Sequence, residues 1–165
     1  MRSLGLDIGD RRTGVAISDA EGLVAFPLSV IDHKNEESAI ADVMRFAQQY
    51  QVERIVVGLP YSLDGSIGRQ ADKVTAFTER LRNVIAGEAK QSGFARVDIQ
   101  MWDERLSTKA AERLMMGVGG GRNRPRSRAK KGSETQRLSG KAAVDAVAAA
   151  FILQGFLDSV KGTSL

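Results

Sequence analysis

A chain of 165 residues with no cysteine and a single histidine, His33, excludes disulfides and the usual Cys/His zinc sites, so any bound metal must be held by oxygen. The length suits one domain that buries its own core, and no apolar run reaches the ~18 uncharged residues of a membrane span, so a cytoplasmic protein with no membrane partner is expected. The net charge of +4 is unevenly placed: six basic residues and no acid stand between Arg122 and Lys131, leaving eighteen basic against twenty acidic residues elsewhere, a distribution that points to a polyanionic partner.

Residues 2–9 and 13–19 alternate apolar and small side chains on either side of a tight link and read as a strand hairpin. Residues 22–31 read as a third strand that completes an antiparallel meander, with Pro27 marking it as the sheet edge. Over 35–49, Ile40, Val43, Met44 and Ala47 form one helical stripe behind Asn35 as N-cap. That helix crosses over to residues 54–58, a short continuous apolar run expected of a strand covered on both faces and parallel to the first. The loop 61–66 follows the strand's carboxyl end, where ligands of open α/β sheets sit.

A second helix, about 69–86, places Val74, Phe77, Leu81 and Ile85 on its buried stripe. Residues 96–101 read as a fifth strand running into Trp102, Asp103, Glu104 and Arg105, and Ser107 is placed to cap a helix to 115 or 116. The glycine- and arginine-rich segment 117–137 reads as a mobile basic loop, and a final helix over about 139–160 surrounds Asp145 with alanines. The whole is an α/β chain, three antiparallel strands followed by two parallel ones, expected as a single domain over 1–165.

Three carboxylates stand out. Asp7 lies in the middle of the first strand, where an ionised group costs free energy unless a cation or donors compensate it. Asp103 or Glu104 ends the fifth strand, and strand alternation leaves these two neighbours as alternatives. Asp145 lies on the final helix, whose small residues allow it to approach the sheet. Such acids, meeting without Cys or His, make a hard oxygen-only site suited to Mg²⁺ or Mn²⁺, and two ions would stabilise the attacking and leaving oxygens of a phosphoryl displacement. Gly5 and Gly9 are expected to leave room for a phosphate. Plainer roles stand beside these: Asp7 could pair with Arg11 or Arg12, Glu104 with Arg105, and Asp145 with Lys141 four residues away. Asp10 and Asp19 read as turn residues, His33 as a surface group, and Trp102 as packing rather than a base-stacking platform.

The segments 6–19 (LDIGDRRTGVAISD), 56–60 (VVGLP), 64–66 (DGS), 103–108 (DERLST) and 144–154 (VDAVAAAFILQ) closely resemble the bacterial YqgF (RuvX-like) family over nearly the whole chain. The resemblance implies an RNase H-like mixed five-stranded sheet with helices on both faces. It also implies a metal-dependent nuclease that processes the 5′ end of pre-16S rRNA in ribosome biogenesis, or a Holliday-junction resolvase acting on branched DNA. Carried over by position, the catalytic and metal-binding acids fall on Asp7, Glu104 and Asp145, with Asp103 as alternative to Glu104. Arg11, Arg12, Arg105 and Lys141 are candidate phosphate contacts near that site, and Arg122, Arg124, Arg126, Arg128, Lys130 and Lys131 lie in a loop longer than the family pattern. The expected partners are RNA or branched DNA and precursor ribosomal particles, with the chain a monomer or a homodimer. The competing expectation is a non-catalytic nucleic-acid or ribosome-assembly module that keeps the acids as a polar cluster.

Overall fold

The computed structural model of this protein describes residues 1–61, 68–92, 97–106 and 140–162. Its elements are β1 (Ser3–Ile8), β2 (Arg12–Ser18), β3 (Ala25–Asp32), α1 (Glu36–Gln49), β4 (Arg54–Leu59), α2 (Arg69–Ser92), β5 (Asp98–Asp103), a short 3₁₀ turn (Glu104–Leu106) and α3 (Gly140–Gly162). The strands form one sheet in the order β3-β2-β1-β4-β5. β1 and β3 flank β2 antiparallel, while β4 runs parallel to β1 and β5 parallel to β4. This is the mixed α/β sheet expected from the sequence.

Several boundaries differ, each for a local reason. β3 begins at Ala25 rather than at residue 22 because the Asp19 carboxylate accepts the amides of Leu23 and Val24 at 2.6 and 3.2 Å, shaping a turn. Pro27 does lie on the edge strand, beside a register shift at Val15/Ala16 that accommodates its missing donor. β5 covers Asp98–Asp103, later than expected, so Trp102 and Asp103 stand in the ladder opposite Gly58 and Leu59. α2 continues to Ser92. The helix expected after Ser107 and the basic loop of 117–137 lie outside the described residues. Asn35 caps α1 as expected, accepting the Ser38 amide at 2.7 Å in a reciprocal capping box.

Strand alternation divides the core in two. Leu4, Leu6 and Ile8 of β1, with Ile55, Val57 and Leu59 of β4, pack against Val43 and Phe46 of α1 and Val74, Phe77 and Leu81 of α2. The opposite face carries Ala16 and Val56 beneath Ala149, Ile152, Leu153, Phe156 and Leu157 of α3. By length and composition α3 could cross a membrane, yet Ala149 and Leu153 are fully buried against the sheet, as in a core helix. Fully burying a side chain such as Leu153 contributes roughly 1.5–3 kcal/mol.

The close seating of α3 depends on glycines in the strands below as well as on its own buried alanines, Ala146 and Ala149. A Cβ at Gly5 would stand 2.7 Å from Leu153 Cβ and 3.0 Å from the Ala149 carbonyl, and one at Gly58 would stand 2.5 Å from Ile152 Cδ1. A Cβ at Gly14 would collide with the Asp145 carbonyl. Gly5 therefore makes room for a helix, not for the phosphate expected there. Gly9 likewise serves the β1–β2 turn: its amide donates to the Arg12 carbonyl at 2.9 Å, and a Cβ would lie 2.8 Å from that oxygen. Gln154 fastens the far end, accepting the Ala25 amide at 2.9 Å and donating to the Leu23 carbonyl at 3.1 Å.

Candidate active site

Asp7 follows Gly5 on the α3 side of β1, one step beyond the Leu6–Val57 pairing and beside Gly58. Gln70, from α2, pins the strand's end by donating to the Ile8 carbonyl at 3.0 Å. Glu104 leaves the end of β5 and folds over Gly58, its Oε1 and Cγ 2.7 and 3.2 Å from where a Cβ would be. Asp145 arrives from above, where α3 crosses Gly14, the partner of Asp7 across the β1–β2 ladder. The three acids thus reach one side of the sheet from three unconnected elements.

Their charges act on one another. Asp7 is held above the usual carboxylate range, first by burial and then by the negative charge of Asp145. Glu104 is pushed up to about 7, again first by burial, then by Asp7 and Asp103. Asp103 behaves in the opposite sense: it takes the Arg105 guanidinium at 2.6 Å and the Arg105 amide at 3.0 Å, and its carboxyl sits below the usual range. Alternation sets Asp103 across the strand from Trp102, which packs edge-on against Phe156 of α3. Geometry therefore places Glu104, not Asp103, with Asp7, and the pairing expected between Glu104 and Arg105 belongs to Asp103.

Asp145 pairs with Arg12, whose Nε lies 3.2 Å from Oδ2. The approach gives charge contact without hydrogen-bond alignment, since buried Oδ2 has no hydrogen-bond partner. Of the other basic candidates, Arg11 is exposed at the β1–β2 turn, and Arg105 lies over the Tyr61 ring with 5.0 Å to the centroid. Lys141 falls in the first turn of α3, and its side chain, like all of 122–131, lies outside the described residues. Asp10 pairs with Lys73 at 2.7 Å. His33 is not the surface group expected: its Nε2 is 2.6 Å from Thr13 Oγ1, and its ring stacks on Phe77 at 6.4 Å.

Among the described residues, no three acids or histidines close into a ready-made metal cluster. The donor set nevertheless fits a hard cation. All three groups would offer oxygen, Asp145 Oδ2 is buried without a hydrogen bond, and the pKa values of Asp7 and Glu104 are raised by burial and then by neighbouring negative charge that a cation would offset. The sequence did not single out Gly14 and Gly58. Their signal was small residues at alternate strand positions facing a small-residue helix.

A mixed five-stranded sheet in the order β3-β2-β1-β4-β5 with helices on both faces is the RNase H-like fold. The same fold occurs in T. thermophilus RuvC in complex with a Holliday junction substrate, with a TM-score of 0.58 at 18% identity over 99% of this chain and 97% of that one. It also occurs in the yeast mitochondrial Holliday junction resolvase, with a TM-score of 0.54 at 13% identity over 98% and 80%. A family model described as "RuvX: Holliday junction resolvase" matches residues 1–159, and the chain belongs to that family. A relative from Desulforudis audaxviator is 38% identical over 98% of this chain and 96% of its own, and one from Clostridium novyi is 38% identical over 97% and 100%. Both are named "Putative pre-16S rRNA nuclease".

Proposed function

We propose that this chain is a cytoplasmic, metal-dependent endonuclease, a single domain over 1–165, that hydrolyses phosphodiester bonds at the 5′ end of pre-16S rRNA in precursor ribosomal particles. The observation that carries the chemistry is that Asp7, Glu104 and Asp145 come to one face of the sheet, where burial and then Asp145 raise the pKa of Asp7, and burial and then Asp7 raise that of Glu104. The preference for RNA rests on the names of relatives similar over nearly their whole length.

Asp7, Glu104 and Asp145 would hold Mg²⁺ or Mn²⁺, and two such ions supply an activated water and charge stabilisation at the departing oxygen. Asp7 is the rigid member, fixed between two hydrogen-bonded strands. Glu104 and Asp145 approach its face of the sheet from a turn and a helix. Arg11 and Arg12, at the β1–β2 turn, would orient a phosphate, while Asp103 holds Arg105. Arg122 to Lys131 add backbone affinity that does not depend on sequence and weakens with salt. A monomer suffices for trimming RNA.

The description of the matching family favours a second reading, cleavage of branched DNA, which needs two sites and therefore a homodimer. Incubating the protein with Mg²⁺ or Mn²⁺ and either a pre-16S leader RNA or a four-way DNA junction separates the two. Asp7→Asn should abolish whichever cleavage occurs. Binding of both substrates with cleavage of neither would favour a non-catalytic assembly module.

A further inference from the structure

Arg12, at the start of β2, contacts Asp145, one of the three acids of the proposed metal site. Among the described residues this contact is the one ion pair made by any of the three acids. The Arg12 backbone is fixed, paired with Asp32 of β3 and accepting the Gly9 amide at 2.9 Å. Its side chain is less constrained: 34% of it is exposed, against 31% for Asp145. Nε stands 3.2 Å from an oxygen that is buried and yet receives no hydrogen bond. The guanidinium therefore offers charge to Oδ2 while leaving its directional donors unused there. A phosphate, by contrast, accepts two parallel bonds from an Arg fork.

We propose that Arg12 is an internal counter-ion that competes with the divalent cation for Asp145, and that a nucleic-acid phosphate relieves the competition by drawing the guanidinium away. This rests on the metal-site reading above and adds to it a coupling between ligands. In the free protein Arg12 weakens metal binding, because a cation at Oδ2 must displace a positive group already there. When a phosphate takes up Arg12, Oδ2 is freed and the metal binds more tightly. Linkage then requires that the metal strengthen phosphate binding by the same factor. The metal site is thus completed chiefly on protein that already carries substrate.

The test is Mn²⁺ binding to the full chain, read from the electron paramagnetic resonance of free Mn²⁺, with and without a cleavage-resistant phosphorothioate oligonucleotide. Wild type should bind Mn²⁺ more tightly once the oligonucleotide is added. Arg12→Gln should bind it about fivefold tighter than wild type in the absence of oligonucleotide, with little further gain on its addition. Arg12→Met should behave like Arg12→Gln, and Arg12→Lys, which keeps the charge, should stay closer to wild type. Asp145→Asn separates the two layers of the argument. If it weakens Mn²⁺ binding while Arg12→Gln and Arg12→Met leave it unchanged, the metal site stands and the competition is refuted. If wild type and Asp145→Asn bind Mn²⁺ equally, the metal site itself is wrong and the coupling falls with it.

Discussion

The peptide carbonyl of Asp145 rests directly on Gly14, so the helix carrying one acid is seated on the strand neighbouring another. Gly14→Ala is expected to destabilise the protein by about 3 kcal/mol, because the added methyl meets helix backbone that cannot rotate away. A Cβ at Gly87, in α2, would meet nothing within 4 Å, which makes that position the comparison. Gly87→Ala should gain up to about 1 kcal/mol from helix propensity. Urea unfolding of the two variants measures both, and equal effects would contradict the seating.

Glu104 predicts a pH dependence of stability. Its folded pKa of about 7 exceeds the ordinary 4.5, so between those values the folded protein keeps a proton that the unfolded chain has released. Stability therefore falls as pH rises through that window. The group is half-buried, and solvent screening limits the effect to about 1 kcal/mol. In chelator, Glu104→Gln should melt above wild type at about pH 8, with the difference vanishing near pH 4.5. Parallel melting curves at every pH would refute the burden on Glu104.

Asp103 and Glu104 are neighbours in sequence with opposite expected sensitivities. Asp7→Asn, Glu104→Gln and Asp145→Asn should each lower metal-dependent cleavage by on the order of 10³-fold, as loss of several kcal/mol of transition-state stabilisation implies. Asp103→Asn removes only the anchor of Arg105 and should leave the rate within about tenfold. A single-turnover assay decides, and a silent Glu104→Gln with an inactive Asp103→Asn would reverse the assignment.

His33 is the chain's one histidine, so its titration by proton NMR needs no assignment. Burial outweighs the charges of Asp32 and Glu36 and holds its pKa below 6.5. The folded protein then binds fewer protons than the unfolded chain as pH falls below 6.5, and stability is lost in that direction. A midpoint at or above 6.5 would contradict the packed position between Thr13 and Phe77.

Much of the fold was legible because its signals are local and periodic. The helical stripe of α1 behind Asn35, the uninterrupted apolar run of β4 and the proline on β3 each specify an element by themselves. Asp7 was legible as a charge in the middle of a strand. What could not be read was long-range. The choice between Asp103 and Glu104 depended on which face Trp102 takes, and that is set by its pairing with Gly58 and its contact with Phe156 of α3, neither of which is local in sequence. Gly5 invited a phosphate in sequence, but the space beside it belongs to Leu153, a contact between the chain's two ends. The contact of Asp145 with Arg12 joins opposite ends of the chain and has no local signal, while the Lys141 side chain lies outside the described residues. His33 looked exposed because its neighbours are polar, yet its contacts are with Thr13 and Phe77.

The placement of α3 also bears on how the protein is made. Everything through β5 can form the sheet and cover one face with α1 and α2 before residues 140–162 leave the ribosome. Until then the strip of Gly5, Gly14 and Gly58 is bare, and Asp7 and Glu104 lack their third partner. Closing contacts between such distant segments is intrinsically slow. Docking of the final helix is therefore the step at which a nascent chain both buries its second face and brings Asp145 to the sheet, so partly synthesised copies would lack one acid of the proposed site.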